Sequence, residues 1–320
     1  MYKTLSITAV ITILVITACT PVKTPLVGND HFSSLPPIVV WRLATDKSAY
    51  DEILALNPDG SGITIVARLP KEEVSRQAAV SWLQDHHNFV IWRVERSRPT
   101  NGEISLFDGK QERDCSGRRF QGQPVIFESQ PMLSETDDNI YTTPLAMTQG
   151  YGKLNLQTCR YETTLTNMAS GDFYATTYCV SKKWWGVENT YEGSAIYDRD
   201  IKVLSNISIT ANLSWSPDCS KLLGAKADGW YVFEPAQWQT PTLILTKDLS
   251  ANFLMMNNPA YVVISRPSWS PDQRYFVYSI HTKRGGKNDG PGDATSYLVD
   301  ISTGSERVLI DRAAYPDWRK

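Results

Sequence analysis

Histidine is scarce: His31, His86, His87 and His281 are the four in 320 residues. None sits in an H-E-x-x-H arrangement, and neighbours such as His86-His87 point in different directions on a strand or turn, which makes them poor joint metal ligands. A G-x-S-x-G nucleophile elbow, a phosphate-binding loop and an EF-hand loop are all missing. So is any excess of positive charge: 32 Lys and Arg against 34 Asp and Glu leave a net charge of −2. Nucleic acid, which needs clustered cations, is therefore excluded as a partner. Beyond residue 18 no apolar run is long enough to cross a bilayer as a helix. These absences predict a protein without cofactor, without a metal site and without catalytic residues, so not an enzyme.

What is present begins at the N-terminus. Met1-Tyr2-Lys3 is a short basic start, and Leu5 to Ala18 is an uncharged run of apolar residues, Ser and Thr. At 14 residues it is too short for a spanning helix, which needs about 20, and it has the build of a secretory signal peptide. It ends in Ile16-Thr17-Ala18-Cys19, which resembles the bacterial lipobox. That resemblance implies cleavage before Cys19, acylation of Cys19 with chains such as palmitate, and an extracytoplasmic protein anchored to a bacterial membrane. Residues 1–18 are then the signal peptide, 19–37 a flexible tether and 38–320 the folded domain. Losing Lys3 leaves 31 cations against 34 anions, a mature charge of −3.

Four further cysteines remain, Cys115, Cys159, Cys179 and Cys219. An even count in an exported chain is compatible with two disulfides, and four cysteines allow three pairings, among which spacing does not choose. The alternative is buried free thiols. No pair has C-x-x-C spacing.

The middle of the chain repeats. Ser214-Trp215-Ser216-Pro217-Asp218 returns as Ser268-Trp269-Ser270-Pro271-Asp272, with a degraded copy at Ser81-Trp82-Leu83-Gln84-Asp85. Each copy is followed by an apolar strand, an alternating run with a turn, and a short closing run. Such four-strand units, recurring every 40–55 residues or so, point to a propeller. The first unit, from Ile38-Val39-Val40-Trp41, lacks its Trp-containing strand, and Tyr315-Pro316-Asp317-Trp318 looks like that missing piece. A C-terminal strand joining the first blade would remove the last open sheet edges. The expectation is a six-bladed propeller of four-stranded blades: 38–69 with 313–319, then 78–116, 124–160, 170–205, 211–247 and 265–310.

The Trp-Ser-Pro-Asp units resemble the repeats of the TolB-like β-propeller family. The resemblance is specific in the Trp215 and Trp269 units, recognisable at Trp82 and Pro316-Asp317-Trp318, and a matter of strand pattern elsewhere. It implies the fold and a binding or scaffolding role. Trp215, Trp269, Asp218 and Asp272 read as fold residues, the Trp filling space between blades and Pro-Asp setting a turn.

Binding residues are expected on loops of this rigid scaffold. The segment Lys182-Lys183-Trp184-Trp185 running on to Tyr191, the segment containing Lys283, Arg284 and Lys287, and Arg96 with Arg98 are read as loops of one basic, aromatic face. That face predicts an envelope protein or glycan as partner of a monomer. The competing expectation is an enzyme acting on envelope polysaccharide or peptide through carboxylates in the propeller channel.

Overall fold

The computed structural model describes residues 27–28, 34–42, 48, 50–70, 74–83, 88–95, 102–108, 112–115, 119–120, 123–124, 132–133, 139–142, 151–165, 173–189, 193–198, 200, 202–208, 211–250, 260–284 and 293–319. Its elements are β-strands. The first sheet along the chain contains β1 (Val27–Gly28), β2 (Ile38–Arg42), β3 (Tyr50–Leu56) and β4 (Thr64–Pro70). The Trp82 sheet is β5 (Val74–Trp82), β6 (Phe89–Glu95), β7 (Gly102–Phe107) and β8 (Glu112–Asp114). β9 (Arg119–Phe120) and β10 (Gln123–Pro124) form a separate ribbon. The Cys159 sheet is β11 (Met132–Leu133), β12 (Asn139–Thr142), β13 (Tyr151–Asn155) and β14 (Arg160–Leu165). The Trp184 sheet is β15 (Phe173–Cys179), β16 (Trp184–Asn189), β17 (Gly193–Tyr197) and β18 (Val203–Ile207). The Trp215 sheet is β19 (Ala211–Trp215), β20 (Leu222–Lys226), β21 (Gly229–Phe233) and β22 (Thr242–Thr246). The Trp269 sheet is β23 (Ala260–Ile264), β24 (Ser268–Trp269), β25 (Tyr275–Arg284), β26 (Asp293–Asp300) and β27 (Ser305–Asp311). The last strand, β28 (Ala313–Trp318), returns to the first sheet, whose order is β1-β4-β3-β2-β28. We call this the closure sheet.

Every pairing is antiparallel, as short connections between successive strands require. The innermost strands contact one another around a ring, β28 against β5 and β15 against β19 among them. This is an all-β propeller. In β28, Trp318 pairs with Ile38 and Asp317 with Val39, so the C-terminal segment supplies the strand the first unit lacks.

The expected six complete four-stranded blades are not what forms. Four sheets have four strands, two have five, and the ribbon has two. Among the described residues five sheets have four strands of three residues or more, so the count of complete blades is corrected to five. The exception is the Cys159 sheet, whose first strand is the two-residue β11. Its start was expected at Pro124-Val125-Ile126-Phe127. Pro124 instead pairs with Arg119 in the ribbon, and a proline has no N–H to contribute to a ladder. The five-stranded sheets deviate for different reasons. β1 adds a strand beyond β4 in the closure sheet, whereas β23 and β24 share one partner, β25, on either side of a break at 265–267.

The repeated motif explains its own shape. In the Trp215 sheet the Cys219 N–H bonds the Ser216 carbonyl (2.8 Å), and in the Trp269 sheet Gln273 bonds Ser270 likewise (2.9 Å). Asp218 Oδ1 accepts from the Ser220 N–H and the Ser216 hydroxyl, and Asp272 Oδ1 from the Arg274 N–H and the Ser270 hydroxyl. Burial by itself would raise the Asp218 carboxyl, but bonds from Ser220, Gln273 and Ser216 outweigh it and hold the group well below the usual carboxylate range. The turn ends on a left-handed residue, Cys219 at φ 58° and Gln273 at φ 58°. The Trp side chains are fully buried, and Trp269 Nε1 reaches across to the Ser214 carbonyl of the neighbouring sheet (3.1 Å).

The four cysteines form two disulfides, Cys115–Cys159 and Cys179–Cys219, each joining two neighbouring sheets. The free-thiol alternative is set aside, and the bonds point to an oxidising, extracytoplasmic compartment. Among the described residues no helix is long and apolar enough to cross a membrane.

Candidate functional site

The Trp184 sheet carries the motif turn without the motif. Val180 to Lys183 takes the place of Ser216 to Cys219, with the Lys183 N–H bonding the Val180 carbonyl (3.3 Å) and Lys183 left-handed at φ 56°. Cys179 stands where the Trp would be, and Cys219 of the next sheet's turn is the cysteine it bonds. Lys182 and Lys183 are thereby carried on an exposed hairpin turn.

Trp184 and Trp185 are not loop residues, as had been expected. They begin β16, and neighbours on a strand face opposite ways. Trp185 is buried and packs on Tyr178 at 4.5 Å between ring centroids. Trp184 is half-buried and joins two other indoles: Trp215 at 5.9 Å and Trp238 at 6.1 Å. Trp215 and Trp238 are themselves 5.9 Å apart, edge to face. The cluster straddles the seam between the Trp184 and Trp215 sheets, above the Cys179–Cys219 bond, with Trp215 as its buried floor.

Trp238 was missed by the sequence reading. It lies in the connection from β21 to β22, outside the repeated positions, and the signal was there: a Trp in a polar stretch that no strand pattern claims. Gln239 fixes this connection to the adjacent sheet by donating to Ser205 Oγ (3.0 Å) and the Asn206 carbonyl (2.7 Å). Glu188 reinforces the same seam by accepting from the Leu213 N–H (2.7 Å).

The remaining expected site residues do not join this cluster. Lys182 and Lys183 connect a first strand to a second, whereas Lys283 and Arg284 end the second strand β25, at the opposite end of their blade. In an antiparallel sheet successive connections alternate ends, so one shared basic face is not formed by these two groups. Arg96, Arg98, Tyr191, Lys287 and the lipidation residue Cys19 lie outside the described residues.

Among the described residues, two carboxylates, Asp317 and Glu188, hold neighbouring strands together. Asp317 of β28 accepts from the Trp82 N–H (2.9 Å) and the Ser268 hydroxyl (2.8 Å), tying the closure sheet to both neighbours. Glu188, besides holding Leu213, opposes the downward pull of burial on Arg266 of the Trp269 sheet. Among the described residues no group of three or more His, Cys, Asp and Glu could hold a metal ion.

A scan against family models finds no match, and a search of curated proteins by sequence finds none either. Solved structures do match. TolB from Acinetobacter baumannii aligns at a TM-score of 0.61 and 15% identity, over 91% of this chain and 67% of that one. A periplasmic gluconolactonase from Pseudomonas aeruginosa aligns at 0.47 and 10% identity, over 87% of this chain and 83% of that one. With its four-stranded blades, ring-closing C-terminal strand and likeness to TolB, the chain has a TolB-like β-propeller fold.

Proposed function

We propose that the protein is an extracytoplasmic lipoprotein, anchored through Cys19, whose propeller is a non-enzymatic binding scaffold for an envelope partner. In this reading residues 1–18 are the signal peptide, 19–37 the tether and 38–320 the propeller. The observation that carries it is the half-buried Trp184–Trp238 pair on a rigid floor, with the cations Lys182 and Lys183 on the adjoining turn. Half-exposed indoles beside cations, held by packing and a disulfide, are preorganised for binding and lose little freedom when a partner docks. The chemistry fits a protein or glycan surface offering an apolar or ring face next to carboxylates. Asp317 supports a scaffold over an enzyme because a strand amide and a serine hydroxyl engage its two oxygens, and Glu188 Oε1 likewise accepts from a strand amide.

The test is crosslinking in intact cells, comparing wild type with a variant carrying Trp184→Ala, Lys182→Ala and Lys183→Ala. A specific envelope partner is expected to be captured by the wild type and reduced at least tenfold in the folded variant. Equal capture by both overturns this face as the docking site.

A further inference from the structure

The outer rim of the propeller carries an apolar belt that the binding reading does not use. Ile63 and Ile65 at β4, Val203 and Leu204 of β18, Leu243 of β22 and Val308 of β27 are exposed, Val308 by 53% and Ile63 by 50%. All lie on or beside the fourth strand of a sheet, outermost except in the closure sheet, where the two-residue β1 lies beyond β4, and the sheets follow one another around the ring: Trp184, Trp215, Trp269, closure. Their rims are continuous. A methyl group added at Gly60 of the closure sheet would meet the Leu309 carbonyl at 2.9 Å, and one at Gly304 would meet the Ile244 carbonyl at 2.3 Å. Lys247 of the Trp215 sheet also grips Glu306 of the Trp269 sheet (2.7 Å). Exposed Lys202 and Arg307 adjoin Val203 and Val308 in sequence, on the opposite faces at the same outer strands.

The N-terminal segment ends at this rim. β1 adds to the outer edge of β4, Val27 opposite Arg68 and Gly28 opposite Ala67. Eight residue steps separate Cys19 from Val27, a reach of about 28 Å at full extension. A lipid on Cys19 therefore holds β1, and with it the outer rim of the closure sheet, within that distance of the bilayer.

We infer that the belt is a membrane-docking surface: the propeller lies with its rim against the lipid headgroups, Ile63, Ile65 and Val308 dipping among them, and both ends of the ring stay open to the aqueous side. This rests on the lipoprotein reading for the position of the anchor. It also gives the docking a purpose, since an anchor with few acyl chains holds more firmly when a second apolar or basic contact adds to it.

The experiment uses the full lipidated protein in phosphatidylethanolamine–phosphatidylglycerol vesicles, with an environment-sensitive dye on Val308→Cys, Ile65→Cys or, as the reference, Lys183→Cys. The rim dyes are expected to shift to the blue and be quenched by lipid-borne bromine, and the Lys183 dye to do neither. Rim dyes that behave like the reference overturn the inference. Independently, the unlipidated mature protein should lose at least fivefold in vesicle partitioning when Ile65→Asp and Val308→Asp are combined, with thermal melting unchanged. An unchanged partition, or a solution dimer abolished by the same pair, overturns it in favour of no ligand or a second copy. Acylation and membrane fractionation of Cys19→Ser read the anchor separately, so failure of the lipoprotein reading is distinguishable from failure of the belt.

Discussion

The seam where the ring closes is stitched by hydrogen bonds, whereas the seam beneath the indole cluster adds a disulfide to the bonds made by Glu188 and Gln239. At closure the links are hydrogen bonds on buried serines and one carboxylate. The Tyr315 N–H donates to Ser279 Oγ, Ser296 Oγ donates to the Ala313 carbonyl, the Trp318 N–H donates to Ser268 Oγ, and that serine donates in turn to Asp317. Buried His281 packs on Tyr315 beside them, at 4.9 Å between centroids. Between the Trp184 and Trp215 sheets, Cys179–Cys219 does the same work covalently, and Cys115–Cys159 repeats it between the Trp82 and Cys159 sheets, where Arg113 also reaches the Leu156 carbonyl. The difference follows the motif. Where the Trp-Ser-Pro-Asp strand or its C-terminal counterpart is present, a large ring and small polar side chains fill and stitch the seam. Where the Trp position holds Cys179, a disulfide is added to the packing of Trp184, Trp215 and Trp238. Covalent seams fail with redox potential, hydrogen-bonded seams do not.

The largest expected effect is therefore reduction. Each disulfide closes a segment of 40 or 44 residues, for which the loop-entropy relation gives about 4 kcal/mol. Replacing Cys179 and Cys219 together by Ala should lower stability by that order in urea titration. Hydrogen exchange should then rise first in β15 and β19 while β28 stays protected; early loss of protection at β28 would break the comparison. Next comes Asp317→Ala, which strands the Trp82 N–H and the Ser268 hydroxyl and should cost about 3 kcal/mol. Its cost should be the same in reducing and oxidising buffer, and should add to the cysteine loss because the sites share no partner. Ser279→Ala removes the acceptor for the Tyr315 N–H and should cost about 1–2 kcal/mol, read in the same titrations.

Acid distinguishes the motif turns from the disulfides more gently. Asp218 is held low against burial by its hydrogen bonds, and Asp300 is held low by the Ser302 hydroxyl first, then by the Ser302 N–H and Arg274 against the burial that opposes them. A carboxyl lowered in the folded state binds its proton more readily in the unfolded chain. Its contribution is complete above the unfolded value near 4 and disappears as pH falls towards the folded value. Asp218→Asn should lower the urea midpoint at neutral pH and flatten its decline below about pH 4, because the contribution it removes is the one present above the unfolded value. A decline as steep as wild type would mean that this turn does not contribute to acid lability.

Much of the fold was legible because its code is local. The Ser-Pro-Asp turn is recognisable from five residues, since Asp and Ser bond amides only a few positions away. The fate of Tyr315 to Trp318 could be read from a mismatch, a first unit without its first strand. Legibility failed where the code is long-range or uses other residues. The turn at Val180 to Lys183 has neither Pro nor Asp, so Trp184 was placed in a loop when it begins a strand. The start of the Cys159 sheet was misplaced at Pro124 because apolar runs there mimic a strand without stating which edge they meet. Trp238 was overlooked because its place in the site depends on Gln239 bonding a different sheet.

By itself the sequence determined an all-β repeat of short antiparallel strands, the motif turns and the strand that closes the ring, because alternation, turn chemistry and an unfilled place in the first unit are written in neighbouring residues. Only the tertiary structure decided which cysteines pair, that Trp184 shares a cluster with Trp238 while Trp185 is buried behind it, that Lys182 and Lys283 sit at opposite blade ends, and that isolated apolar residues on or beside the fourth strands of four sheets stay exposed. Each of those depends on how separate sheets are set around the ring, and the distance between two sheets is fixed by the packing of both, which no single stretch of chain contains.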